Sequence, residues 1–151
     1  MSQQNILHRV QIAHHYPRFF QGVQSLALLM AQFYVGAVFF KAGLSKLRDW
    51  DSTLMLFEYE YAVPLLPFEL AAYLATFGEL VLPILLFVGL FARMGALGLF
   101  IVNVVAVIAL PDMPQAALDQ HILWAILLTI IFSFGASKLS IDQFINTRLS
   151  K

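Results

Sequence analysis

The sequence predicts an all-α integral membrane protein: a four-helix up-down bundle with a short interfacial helix between the first and second spans. Three observations predict it. Hydrophobic residues make up 60% of the 151 and charged residues 12%, against roughly 45–50% and about 25% in ordinary globular domains. A chain this small has too little interior to hide that much apolar surface from water, so lipid is the expected solvent. Four apolar stretches, each near the length of a membrane span, are separated by polar or proline-bearing breaks. The break between the second and third is so short that those two must form an antiparallel hairpin.

The first span is expected from about Val23 to Gly43, within SLALLMAQFYVGAVFF. The second runs from about Phe68 to Leu90, and the third from about Met94, just after Arg93, to Leu110 before Pro111. The fourth, from about His121 to Ala136, is short for a span, which local thinning or snorkelling of its ends can offset. Between the first and second spans lies LRDWDSTLMLFEYEYAVPLLPFE, too apolar for a free linker. There Leu54, Phe57, Tyr61 and Leu65 recur near helical spacing until Pro64 and Pro67 intervene, which predicts an interfacial helix across the mouth of the bundle. It either packs or acts as a lid.

Four crossings leave both termini on one side. That side carries Arg9, Arg18, Arg93, Lys138, Arg148 and Lys151, whereas the other has Lys46 and Arg48 with Lys41 near the helix end. The second side also collects Asp49, Asp51, Glu58, Glu60, Glu69, Asp112 and Asp119. The positive-inside rule therefore puts both termini in the cytoplasm. Residues 1–22 read as a cytoplasmic juxtamembrane segment, with Ile6, Leu7 and Val10 on one amphipathic face, and without the features of a cleavable signal. His8, His14 and His15 point to different faces there and read as interfacial polarity rather than a metal site. The transmembrane domain then covers 23–145 and a cytoplasmic tail 146–151.

Net charge is zero, so bulk electrostatics gives no argument for nucleic acid as a partner. The absence of cysteine excludes disulfides, thiolate nucleophiles, iron–sulfur clusters and Cys-ligated metal.

Ionisable and amide groups at membrane depth are costly and normally face the bundle interior. Counted at about 1.5 Å per residue from the expected helix ends, Gln32, Glu79, Asn103 and Thr129 fall roughly 10–16 Å deep, one on each span. They are expected to form a shared polar layer, with Glu79 a neutral acid that hydrogen-bonds Gln32 or Asn103. Pro83 has no N–H to offer the Glu79 carbonyl, so a bend is expected there. Such an acid either glues helices together or handles a proton or polar ligand. A second group, Lys41, Lys46, Asp119 and His121, is expected near the outer mouth. There Lys41 can snorkel outward, and His121 can cap the fourth helix or exchange protons.

Beyond these readings, the chain resembles the DoxX family of membrane proteins. VGAVFFKAGLSKL resembles the family's first helix with its Gly-x-x-Lys, here Gly43 and Lys46. FEYEYAVPLLP followed by ELAAYLATFGELVLPILLFVGLFARMGAL resembles the second and third helices; HILWAILL and GASKLSID resemble the fourth helix and its tail. The resemblance covers roughly residues 23 to 145. On it, Lys46, Glu79, Arg93 and His121 occupy positions that match the family pattern. Gly135-Ala136-Ser137-Lys138 departs from the usual Gly-x-Gly and implies a different cap. The resemblance implies a bacterial inner-membrane protein. Members are membrane subunits or accessories of oxidoreductase systems, including a distant subunit of a thiosulfate:quinone oxidoreductase. Others accompany thiol-stress or metal-linked gene sets, and animal relatives act in receptor assembly.

Three functions follow as expectations. The first is a membrane accessory of a redox system, more a subunit than a complete enzyme, with quinone as cofactor and a membrane or periplasmic redox partner. For a quinone, Tyr34 and Phe77 can supply an aromatic wall, and Gln32, Glu79 and Asn103 the hydrogen bonds. The second is a small proton-coupled transporter, usually built as a homo-oligomer. The third is an assembly or scaffold protein whose polar core is structural.

Overall fold

The computed structural model describes residues 18–135. Their elements, in chain order, are α1 (Arg18–Arg48), α2 (Trp50–Tyr59), α3 (Phe68–Val88), α4 (Ala92–Ala109) and α5 (Gln115–Phe134). Among the described residues, α1, α3, α4 and α5 are long and apolar enough to cross a membrane. The protein is therefore a multi-pass, all-helical membrane protein. The amphipathic segment expected over residues 1–22 lies outside the described residues up to position 17, and its last residues are the first turns of α1. The tail beyond Gly135 also lies outside them.

Two span boundaries differ from expectation. α1 continues past Gly43 to Arg48, because its last basic residues need not leave the helix. Lys46 finds a partner, Arg48 is exposed, and both complement the negative end of the helix dipole. α5 begins at Gln115 rather than His121, since Pro114 starts a helix readily and the polar QAALDQ that follows is made of helix formers or tolerated surface residues. The fourth span is thus of ordinary length, 20 residues. Its residue His121 is interior to the helix and does not open it.

The linkers follow from local chemistry. Asp49 separates α1 from α2 and caps α2: its Oδ1 accepts from Ser52 N–H at 3.1 Å and its Oδ2 from the Ser52 hydroxyl at 2.7 Å. α2 stops at Tyr59, so Leu65 does not continue its face; Leu65 sits fully exposed in the turn between Pro64 and Pro67 with φ 66°. The Ala62 N–H then donates to the Ala109 carbonyl at 2.8 Å, which ties this loop to the end of α4. Gly89, with φ 65°, closes α3 and turns the chain through Leu90 and Phe91 into α4. α3 runs unbroken through Pro83.

The spans pack in sequence order around a closed ring: α1 on α3, α3 on α4, α4 on α5, and α5 back on α1. Small residues set the closest approaches, as expected where helices pack in lipid. A Cβ at Gly36 would lie 2.7 Å from Phe87 Cε1, and one at Gly43 2.8 Å from Leu80 Cγ and 3.1 Å from Glu79 Cβ. Across α3 and α4, Gly78 faces Val102, and Gly98 faces Leu82. The central core is Val35, Phe39, Leu86, Ala96, Leu99, Leu128 and Ile131. At the end where α1 finishes and α3 begins, here called the distal end, Phe57 of α2 packs on Ala71 and Ala72 with Trp50, Leu54 and Tyr61 around it. α2 thus covers that end of α3. Outward faces carry Met30, Phe33, Ile84, Ile101 and Ile126, an apolar surface suited to acyl chains.

Candidate functional site

α3 brings Glu79 inward. Ala72, Thr76, Glu79, Pro83 and Leu86 recur at helical spacing on its buried face. Glycine at position 43 lets α1 approach this face until its backbone lies against Glu79 Cβ. Lys46, one turn further along α1, then reaches across, and its Nζ donates to Glu79 Oε2 at 2.6 Å. The two side chains retain 20% and 10% of their exposure, so this is an ion pair largely out of contact with solvent. Burial of two charges is tolerated when they are paired and geometrically close, as here.

α2 supports the pair from the distal side. The buried Thr53 hydroxyl lies 3.1 Å from the Lys46 carbonyl and 2.9 Å from that of Asp49, so it satisfies the open end of α1. Tyr61 follows α2 and packs edge-on against Phe57 at 5.0 Å between centroids. Half-burial pushes its phenol above its ordinary range, and the nearby carboxylates of Glu60 and Glu79 push it further. Tyr61 is therefore within electrostatic reach of the ion pair.

On the other side of the bundle, Asn103 of α4 grips α5. Its Nδ2 donates to the His121 carbonyl at 3.0 Å, and its Oδ1 lies 2.8 Å from His121 Nδ1. The His121 ring also meets Trp124 edge-on at 4.8 Å, and Trp124 meets Phe39 of α1 at 5.7 Å. Since Gly78 faces Val102 across α3 and α4, Asn103 and Glu79 differ in depth by about 3 Å. Lys46–Glu79 and Asn103–His121 are thus two separate polar pairs at similar depth.

The expected membership was different. Glu79 bonds neither Gln32 nor Asn103, and it is ion-paired rather than an isolated neutral acid. The reason is register: α1 runs to Arg48, which lowers Lys46 into the bundle and carries Gln32 far beyond Glu79. With Gly36 against Phe87, Gln32 lies level with the turn that joins α3 to α4. Gln32 is buried there and its Nε2 has no hydrogen-bond partner. Thr129 is exposed and turns its hydroxyl back to the Ala125 carbonyl at 2.8 Å. Tyr34 and Phe77 are exposed on the lipid side and line nothing in this layer. Of the mouth candidates, Lys41 is exposed, and Asp119 is exposed and takes a hydrogen bond from Gln115 Nε2 at 2.8 Å. Among the described residues no three His, Cys, Asp or Glu groups converge as a metal site would need.

Two contributors escaped the sequence reading of the site. Thr53 and Tyr61 belong to the segment between spans, where depth along a helix says nothing. The FEYEY repeat of aromatics and acids was the available signal.

An uncharacterized protein of Haemophilus influenzae is 30% identical over 135 residues, which cover 83% of this chain and 87% of that protein. No solved structure matches. The DoxX family profile matches residues 27–112, a stretch that includes Lys46, Glu79 and Asn103, and the chain belongs to the DoxX family.

Proposed function

We propose that this DoxX-family protein is a membrane accessory of a redox system whose polar layer binds the head group of a membrane quinone. The observation that carries the reading is the Lys46–Glu79 pair at 2.6 Å, held beneath α2, whose Phe57 packs against Tyr61. A quinone head group needs an apolar slot, an aromatic wall and donors for its carbonyls. Lys46 Nζ carries three N–H groups and gives one to Glu79, and Tyr61 offers an O–H. Phe57, Phe39 and Trp124 supply aromatic surface within the bundle. The redox association comes from what the family resemblance implies. A chain without cysteine holds no thiolate-ligated electron carrier, which supports an accessory role over a complete enzyme. The basic residues on the side of the termini support an inner-membrane orientation with both termini cytoplasmic, and the distal layer then faces a periplasmic or membrane partner.

Solvent extraction of protein purified from quinone-replete membranes tests the reading. The wild type should yield quinone at close to one per chain, and Lys46→Met should lose it. Protein free of quinone that also gives no binding response to an added short-chain benzoquinone would overturn it.

One observation favours a second reading, a small proton-coupled transporter. An ion pair at membrane depth can exchange a partner for a proton. In that case Glu79→Gln abolishes flux in proteoliposomes and leaves the quinone content at zero in both proteins.

A further inference from the structure

We propose that His121 and Trp124 together bind one hydroxyl group, so that the quinone-linked site prefers the hydroquinone form of its ligand. The inference rests on the quinone-linked reading above and names which redox form the site takes.

Asn103 holds both ends of its amide on one residue. Its Nδ2 donates to the His121 carbonyl, a group that cannot donate in return, and this fixes which end of the amide is oxygen. The oxygen therefore faces His121 Nδ1 at 2.8 Å, so Nδ1 carries the ring proton. The neutral imidazole is left with Nε2 as an acceptor.

One turn along α5, the Trp124 indole nitrogen is buried and has no hydrogen-bond partner. An N–H in that condition is costly, and it is rare unless something completes it. The two rings are 4.8 Å apart between centroids, and Phe39 packs edge-on to the indole at 5.7 Å. The pair thus offers one acceptor, Nε2, and one donor, Nε1–H, in neighbouring rings. A hydroxyl satisfies both, since it donates one hydrogen and accepts another. A quinone carbonyl only accepts, and it would leave His121 Nε2 without a donor. Water and a hydroquinone share the needed chemistry, and the test separates them. No electron transfer is involved in this step; it is binding alone.

Trp124 reports the site directly. The chain has two tryptophans, so Trp50→Phe leaves Trp124 as the only one. In full-length protein of that background, a decyl-substituted dimethoxy-methyl-hydroquinone should change Trp124 emission. The oxidised quinone and the hydroquinone dimethyl ether should each bind about tenfold more weakly, the loss of one hydrogen bond to a built site. His121→Phe should weaken the hydroquinone about tenfold and leave the quinone unchanged. Because that variant can fail for reasons of folding, the tautomer is also read without it. With His8, His14 and His15 replaced by Gln, ¹⁵N-histidine labelling should show a protonated Nδ1 and an Nε2 signal that moves on addition of hydroquinone.

A protonated Nε2 in the free protein overturns the proposal. So do Nε2 and indole signals that are hydrogen-bonded and unmoved by the probe, the result expected for bound water. Equal affinity for quinone and hydroquinone, indifferent to His121, overturns the proposal and leaves the quinone-linked reading intact. Binding of neither form overturns both.

Discussion

Lys46 Nζ lies 2.6 Å from Glu79 Oε2, beside the close approach of α1 to α3 at Gly43. This one relationship joins the two residues that looked, along the chain, like members of separate groups. It also converts a costly buried acid into half of a neutral unit.

Breaking that unit should cost more than removing it. Glu79→Leu or Lys46→Met alone strands the other charge at membrane depth and should destabilise the protein by about 3–5 kcal/mol. The double substitution should recover most of that loss. Unfolding in mixed detergent, analysed as a double-mutant cycle, measures the coupling; additive losses would mean the pair does not act as a unit.

Glycine substitutions should rank by what the added carbon meets. Gly43→Ala drives a methyl against Leu80 Cγ and Glu79 Cβ, which are near the backbone and yield little. A cost of about 1–3 kcal/mol is expected, with weaker Lys46–Glu79 pairing. Gly36→Ala meets the rim of the Phe87 ring, which can rotate, and should cost less. Gly22→Ala meets nothing within 4 Å and should be neutral or slightly stabilising. Melting temperatures of the three variants in one detergent decide the order.

Asn103 and His121 should behave as a couple. Asn103→Leu removes two hydrogen bonds between α4 and α5, for a loss of about 1–2 kcal/mol on the scale of such bonds in membranes. His121→Leu removes only the ring bond and should cost less, and the double variant little more than Asn103→Leu alone. Losses that simply add would argue against a shared network.

Tyr61 makes an alkaline prediction. Its phenol is held above its usual value of 10.0, so the folded state binds the proton more tightly than the unfolded chain does. Its contribution is complete below about pH 10 and is lost as pH rises through the folded value. The ultraviolet difference between wild type and Tyr61→Phe should show ionisation beginning above that of an ordinary tyrosine. An ordinary or early titration would mean that the phenol is not shielded from solvent as its half-buried position requires.

Asp49 has the opposite sign. Hydrogen bonds from the Ser52 hydroxyl, then from its amide, hold the carboxyl below its usual 3.8. Its support of α2 is present above that value and disappears as pH falls below it. Asp49→Asn keeps an accepting oxygen and should largely preserve α2, whereas Asp49→Ala should fray it, as hydrogen exchange of the Ser52 and Thr53 amides would show.

Much of the architecture is legible along the chain because lipid imposes a simple demand: each span must be apolar and must satisfy its own backbone. Composition and the four apolar runs therefore suffice for the span count, and the tight link at Gly89–Leu90–Phe91 suffices for the hairpin. A polar layer is also legible, since Glu79 and Asn103 have nowhere to go but inward.

What the sequence by itself determined was the class of fold, the order of the spans and three polar residues that must be buried, Gln32, Glu79 and Asn103. Tertiary structure alone decided their partners. Apolar runs stop where polar residues begin, but helices do not, so α1 and α5 extend past the hydropathy boundaries and shift the register of everything counted from their ends. A lysine four carbons long then reaches inward to Glu79, a histidine once placed at a helix start falls level with Asn103, and Gln32 and Thr129 drop out of the layer.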